Sequence, residues 1–468
     1  MRSWQPTAAL GLIAGVTALL APQWSAFANG GPPVQEPVEL PTPEPLEVAP
    51  LTAQVNSGVL HLEAGLDHAA LIEGSTQERL LVVTVRADEV EGGERAPINV
   101  AVVVDRSGSM RQQDRMGFAH QAAEDLVGAL QDDDRFALVS FASSAQVVVP
   151  STPVHNPAAL YSAIRSIQPA GSTNLHEGLS MGQLQVRANA TPESVDRVIL
   201  LSDGYANVGV QLPSELSNAA GRYAQEGVAV STIGLGLDYN EDLLAQMADS
   251  GGGSYRFVND AESLQAAFDD ELHRLNSVAA RGVGLDIALD DAELIDVIGY
   301  EATQTDTGLR IWLGDVYGGE TRRVVMRVRM KAGSEGQTLD AATVRLSEGA
   351  TQVGVVAVQA TVTDSPTIVE RSANRELAVV GNEAAAADLA QKAAYAFEDG
   401  DIEGSNQLIN SSALVAGEAA SRYGSTRLEE QSGALMRQQD LYENNDPSSE
   451  QGRYAIKSNK EDNRVWTR

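Results

Sequence analysis

The sequence predicts an α/β fold in which a doubly wound, mostly parallel sheet is inserted into an antiparallel β-sandwich and followed by a small helical module. Three patterns carry this. Between residues 98 and 275, apolar runs at 98–104, 136–141, 198–201 and 228–233 alternate with helical stretches. Strands without a polar face are buried on both sides, as in a parallel sheet covered by helices. From 279 to 365 the period drops to two. Val283, Leu285, Ile287 and Leu289 alternate with Gly284, Asp286 and Ala288, and Val324, Met326, Val328 and Met330 with Val325, Arg327 and Arg329. That alternation belongs to half-buried antiparallel strands. From 370 to 445 the chain is Ala-rich, with Ala386, Leu389, Ala393 and Phe397 three or four apart, as on one face of a helix.

In chain order, residues 1–28 are an address rather than a domain. Arg2 precedes an apolar run over 8–21, and Ala26-Phe27-Ala28 supplies a small-residue cleavage pattern, the layout of a secretory signal peptide. The run is shorter than the ~18–20 residues of a membrane span. Cleavage after Ala28 is expected to leave a secreted or periplasmic protein without a span. Residues 29–52, rich in Pro and Glu, form an extended tether. The strand-like pieces of 53–95, clearest at 80–85, are too few to bury a face alone. They are expected to complete the β-sandwich of 279–365, with the α/β domain of 96–278 inserted between. Its helices are expected near 112–130, 156–167, 174–188, 213–226, 240–249 and 261–275. In the helical module of 366–445, Asp399-Gly400-Asp401 separates an antiparallel helix pair, and a third helix fits around 428–441. Residues 446–468 are polar and are expected to be a disordered tail.

The 468 residues include 33 Lys+Arg against 64 Asp+Glu, a formal net charge of −31. Such acidity argues against nucleic acid as the main partner, since binding phosphates needs a basic face. It equally disfavours anionic membranes, and it permits divalent cations. The chain has no Cys, which removes disulfides, thiol catalysis, zinc–thiolate sites and iron–sulfur clusters.

The chemistry concentrates at strand ends. The first apolar run of the α/β domain ends in Asp105-Arg106-Ser107-Gly108-Ser109-Met110. One carboxylate and two hydroxyls then share a tight loop at the carboxyl edge of the sheet, where ligands bind in doubly wound folds. Hard oxygen donors suit Mg²⁺ or Mn²⁺ rather than Zn²⁺. Gly171-Ser172-Thr173-Asn174 opens a helix with a hydroxyl, and Leu200-Leu201-Ser202-Asp203-Gly204 is a second buried strand ending in an acid. Adjacent strand ends bring Asp105 and Asp203 within reach of one ion. Asp105 is read as an exposed loop end, so Asp105→Ala is expected to cost little stability. Alternatively, Ser107, Ser109 and Thr173 could simply cap helices and Asp203 hold a turn.

These segments, in this order and on these elements, resemble the von Willebrand factor A domain, over residues 98–275. The flanking strands give the whole chain a resemblance to secreted bacterial members of that superfamily, inter-alpha-trypsin-inhibitor heavy chains and calcium-activated chloride channel homologues. The resemblance implies a Rossmann-like sheet and a metal-ion-dependent adhesion site. Ser107 and Ser109 would bind Mg²⁺ (or Mn²⁺ or Ca²⁺) directly, and Asp105, Thr173 and Asp203 directly or through water. The partner would be a protein or surface ligand presenting an Asp or Glu carboxylate to the ion. It also implies that the final helix, 261–275, slides when the site changes state; because that helix feeds directly into the sandwich at 279, ligand occupancy is expected to be passed to the sandwich.

Other signals carry less. His176-Glu177-Gly178-Leu179-Ser180 lacks the second His of a zinc protease helix. Gly234-Leu235-Gly236 and Gly251-Gly252-Gly253 read as turns, and Asp132-Asp133-Asp134 as a solvated helix-end turn. The basic stripe Arg322, Arg323, Arg327 and Arg329 is expected to pair with the chain's own acids. No nucleophile–base pair stands out, so the sequence reads as an exported non-enzymatic adhesion protein, or alternatively as a metal-independent envelope scaffold.

Overall fold

The computed structural model describes residues 52–90 and 95–467. The expected signal peptide, and all of the expected tether except residue 52, lie outside the described residues.

Four strands open the described chain: β1 (Ala53–Ser57), β2 (Leu60–Leu66), β3 (Ala70–Ile72) and β4 (Thr76–Ala87). An α/β segment follows, with β5 (Ile98–Asp105), a short 3₁₀ turn, α1 (Arg115–Ala129), β6 (Arg135–Phe141), β7 (Ala145–Pro153), α2 (Pro157–Arg165), α3 (Leu175–Arg187) and β8 (Val195–Ser202). It continues through α4 (Pro213–Ala224), β9 (Val228–Leu235), α5 (Glu241–Ser250), β10 (Gly252–Val258) and α6 (Ala261–Asn276). Seven strands come next: β11 (Val278–Leu289), β12 (Ala292–Ile298), β13 (Ala302–Thr305), β14 (Gly308–Tyr317), β15 (Thr321–Lys331), β16 (Thr338–Glu348) and β17 (Thr351–Thr363). Five helices close it: α7 (Pro366–Arg371), α8 (Arg375–Glu398), α9 (Ile402–Tyr423), α10 (Thr426–Asn444) and α11 (Glu450–Trp466).

The α/β sheet runs β10-β9-β8-β5-β6-β7. Every pairing is parallel except β6 with β7. β5, β8 and β9 are buried at every position, as their unbroken apolar runs require. One face is covered by α1, α2 and α6, the other by α3, α4 and α5. Asn156, Asn174, Asn240 and Asp260 accept backbone N–H groups at the starts of α2, α3, α5 and α6, which sets those boundaries. α3 lies unusually close to the sheet. A Cβ at Gly182 would sit 2.4 Å from a Val103 methyl, and one at Gly178 2.7 Å from the Phe141 ring.

The strands on either side form two sheets, β1-β2-β4-β15-β12 and β13-β14-β11-β16-β17-β3. β4 pairs with β15, and β3 runs parallel to β17. The N-terminal strands therefore enter both sheets, and one core of Leu, Val and Met fills the space between. α8 covers the outer face of the first sheet, burying Val82, Ile298 and Val325 against Leu377 and Val380. Three of the four arginines in the basic stripe meet the chain's own acids: Arg322 pairs with Glu320 at 3.0 Å, Arg327 with Asp388 at 3.2 Å and Arg329 with Glu78 at 3.2 Å.

Two expectations are corrected by the fold. Residues 446–468 are not a disordered tail, because α11 occupies most of that stretch. Its buried face includes Lys457, Asn459, Lys460 and Asn463 beside Ala455 and Ile456. The helix is held by charge pairing, which leaves no apolar period in the sequence. Asp132-Asp133-Asp134 also differs from expectation, since Asp134 is fully buried.

Candidate metal centre

β5 is a central strand, and its register sets the site. Val104 pairs with Leu201 of β8, so Asp105 and Ser202 come side by side at the carboxyl edge. The loop beyond is laced down by backbone bonds: Arg106 N–H donates to the Phe141 carbonyl at 2.7 Å, and Gly108 N–H to the Gly171 carbonyl at 3.0 Å. The Ala170 N–H returns a bond to the Arg106 carbonyl at 2.6 Å. The Asp105 loop and the loop before α3 thus hold each other.

All five sequence-predicted residues come together. Asp105 is wholly buried, which corrects its reading as an exposed loop end. Its Oδ1 accepts the Ser107 N–H at 2.7 Å and its Oδ2 the Ser202 hydroxyl at 2.7 Å. Burial pushes the Asp105 carboxyl up to about 6, against the hydrogen bonds from Ser202 and Ser107. The Ser107 and Ser109 hydroxyls lie 3.0 Å apart, and Ser109 donates to Asp203 Oδ1 at 2.7 Å. Asp203 is also wholly buried. Thr173 is 2% exposed. Its N–H donates to Asn207 Oδ1 at 2.8 Å, and its carbonyl accepts the N–H groups of Asn207 and Val208.

The donor set fits a small hard cation: two carboxylates and three hydroxyls, with no sulfur or imidazole among the five. Gly204 links the two loops: a Cβ there would lie 3.3 Å from the Thr173 hydroxyl and 3.9 Å from that of Ser109, which places both hydroxyls beside the residue that follows Asp203. A divalent cation held here would be a Lewis acid toward an incoming carboxylate oxygen.

Three functional neighbours escaped the sequence reading. Ser202 anchors Asp105 and stands inside the quoted Ser202-Asp203-Gly204 segment. Asn207 positions Thr173 from a loop with no periodic signal. Arg115, the first residue of α1, is 4% exposed and donates from Nη1 to Asp203 Oδ2 at 2.9 Å. A basic residue in a first helical turn opposes the helix dipole, and that misfit was the available sign of a role outside the helix.

Residues 99–270 match the family described as von Willebrand factor type A domain. The uncharacterized protein YfbK of Escherichia coli strain K12 is 29% identical over 231 residues, 49% of this chain and 40% of YfbK. Inter-alpha-trypsin inhibitor heavy chain H4 of Sus scrofa is 32% identical over 176 residues, 36% of this chain and 19% of that protein. The chain thus spans less than half the length of either relative. A solved von Willebrand factor type A protein from Catenulispora acidiphila superposes with a TM-score of 0.64 at 20% identity, covering 84% of this chain and 99% of that one. That likeness is one of fold. Domains of this family are generally non-catalytic modules of protein interaction and commonly bind a divalent metal. No helix among the described residues is long and apolar enough to cross a membrane. Residues 99–270, set between the two strand groups of a β-sandwich, thus match the von Willebrand factor type A domain, and the fold around them is shared with a solved protein of that type.

Proposed function

We propose that this protein is an exported, non-enzymatic adhesion or interaction protein that holds a partner's Asp or Glu carboxylate through a Mg²⁺-dependent adhesion site. The observation that carries this reading is the convergence of Asp105, Ser107, Ser109, Thr173 and Asp203 on one strand edge. The Ser107 and Ser109 hydroxyls would hold the cation together with Asp105, Thr173 and Asp203, and the cation would supply a Lewis acid for the partner's carboxylate oxygen. Mn²⁺ or Ca²⁺ can stand in for Mg²⁺. Export rests on the Ala26-Phe27-Ala28 pattern.

α6 is the route from the site to the rest of the protein. It ends at Asn276 and β11 begins at Val278, with one residue between. A shift of α6 on ligand binding would act on the sandwich at once. Unchanged hydrogen exchange in 261–290 on adding Mg²⁺ and ligand would remove this part of the proposal.

The test is Mn²⁺ binding by electron paramagnetic resonance to the parent, Asp105→Asn and Thr173→Ala. Asn is preferred to Ala at 105, because Ala would orphan two buried donors at about 1–3 kcal/mol each. One site in the parent, lost in Asp105→Asn and weakened in Thr173→Ala, is expected. A folded parent that binds no Mn²⁺ would leave the motif as helix capping and favour the metal-independent scaffold.

A further inference from the structure

Arg115 places a permanent positive charge inside the candidate metal centre. Its Nη1 holds Asp203 Oδ2 at 2.9 Å, while Asp203 Oδ1 faces Ser109. Its Nη2 lies 3.6 Å from Asp238, and Asp238 pairs with Arg453 of α11 at 2.7 Å. Gly236, at φ +81°, leaves room for the guanidinium, since a Cβ there would sit 2.5 Å from Nη2. Just before Arg115 the chain passes through two non-glycine residues in the left-handed region, Gln113 at φ 50° and Asp114 at φ 57°. Such strain persists where the surroundings hold it in place. Here it leads directly into a helix whose first residue points at the site.

We infer that Arg115 is a positioning residue that sets the balance of the site, weakening its hold on the divalent cation and strengthening the loaded site's hold on an anionic ligand. This rests on the metal-site reading above. The reasoning is one of charge. Asp105 and Asp203 bring two negative charges, and Arg115 cancels one. The empty site therefore attracts a cation less than two bare carboxylates would. A bound divalent cation then leaves the site with one net positive charge, where without Arg115 it would be neutral. Asp238 and Arg453, the next charges outward, offset each other. An incoming carboxylate is thus met by a cation whose charge the protein has not fully neutralised. On a chain of net charge −31, that local excess opposes the general repulsion of acidic partners.

The test compares the parent with Arg115→Gln and Arg115→Lys, using Mn²⁺ and then acetate as probes. Electron paramagnetic resonance gives the Mn²⁺ affinity. Water-proton relaxation of bound Mn²⁺ follows displacement of water by acetate. Arg115→Gln is expected to bind Mn²⁺ about tenfold more tightly at low salt, the effect of one charge at a few ångströms in a partly buried site, and to bind acetate more weakly once loaded. Arg115→Lys should restore both parental values. Opposite shifts in two affinities are not produced by a merely structural residue. Weaker or unchanged Mn²⁺ binding in folded Arg115→Gln overturns the inference and leaves the metal site standing. Absence of Mn²⁺ binding in all three folded proteins overturns both. Should Arg115→Gln fail to fold, Arg115→Met decides: tighter Mn²⁺ binding with weaker acetate binding is expected, and unchanged or weaker Mn²⁺ binding overturns the inference.

Discussion

Asp105, Asp134 and Asp203 are wholly buried, and each is held by hydrogen bonds. Asp134 accepts the N–H groups of Ile98 at 2.8 Å and Gln131 at 2.7 Å, and both terminal nitrogens of Arg95. It therefore ties the start of β5 to the turn before β6. Three consecutive Asp residues hid this, because composition cannot say which one turns inward. Asp196, at the start of β8, is a different case. Asn99 and Ser194 donate to it, yet burial outweighs them and pushes its carboxyl from 3.8 to about 6. Between those values the folded chain binds more protons than the unfolded one, so stability falls as pH rises through the window. Asp196→Asn should flatten that part of the profile, so that the variant gains stability relative to the parent as pH rises from 4 to 7. Denaturant midpoints of parent and variant from pH 4 to 7 measure it. Identical profiles would count against this account.

Among the elements, α3 and α11 are stabilised by opposite means. α3 approaches the sheet through Gly178 and Gly182, spaced one turn apart, so that its backbone lies on Phe141 and Val103. Gly182→Ala should cost about 1–3 kcal/mol through overpacking, although Ala is the better helix former. A variant as stable as the parent would show that the helix can lift at no cost. α11 is bound through ions. Lys457 reaches Glu241 and the Tyr239 carbonyl, and Arg464 reaches Asp249. Lys460 lies 3.1 Å from Glu241, 3.1 Å from Asp242 and 2.6 Å from Glu398. Those three carboxylates converge closely enough to hold a metal, and Lys460 supplies the charge instead. Lys460→Ala should lower stability by about 2–3 kcal/mol, less than for a fully buried pair because Asp242 and Glu398 remain partly solvated. Urea unfolding reads the loss, and 1 M salt should shrink the difference between variant and parent. The edge strands β7 and β10 also lacked a sequence signal. β7 carries Pro150 and Pro153, which an edge tolerates and a central strand does not.

For the whole molecule, the α/β domain and the sandwich share a buried charge network. Arg197 of β8 is fully buried. It donates to Ser231 at 3.0 Å and Glu271 of α6 at 3.1 Å, and across to Asp315 at 3.1 Å and Tyr317 at 3.0 Å on β14. Burial opposes its charge, and Tyr317, Glu271 and Asp315 more than offset that, raising its pKa. Separating the domains would leave a guanidinium half-paired in a low dielectric, at about 3–5 kcal/mol. Calorimetry of the chain should therefore show the two unfolding in one transition. Two well-separated peaks would refute this coupling. The same network pins α6, so any shift of that helix must first loosen Glu271 from Arg197.

The doubly wound sheet, its place within a sandwich and the five oxygen-bearing residues were legible in the amino-acid order. Each is encoded locally: unbroken apolar runs for buried strands, period two for half-buried ones, hydroxyls and acids at strand ends. The burial of Asp105, the turn of Arg115 into the site, the fixing of α11 by Lys457 and Lys460 and the Arg197 bridge were not. Each of these depends on a partner far away in the chain, from 88 positions for Arg115 with Asp203 to 219 for Lys460 with Glu241. A charged residue looks the same in sequence whether it faces water or a buried counter-charge. Folding brings the two together, and no local pattern records which pairs will meet.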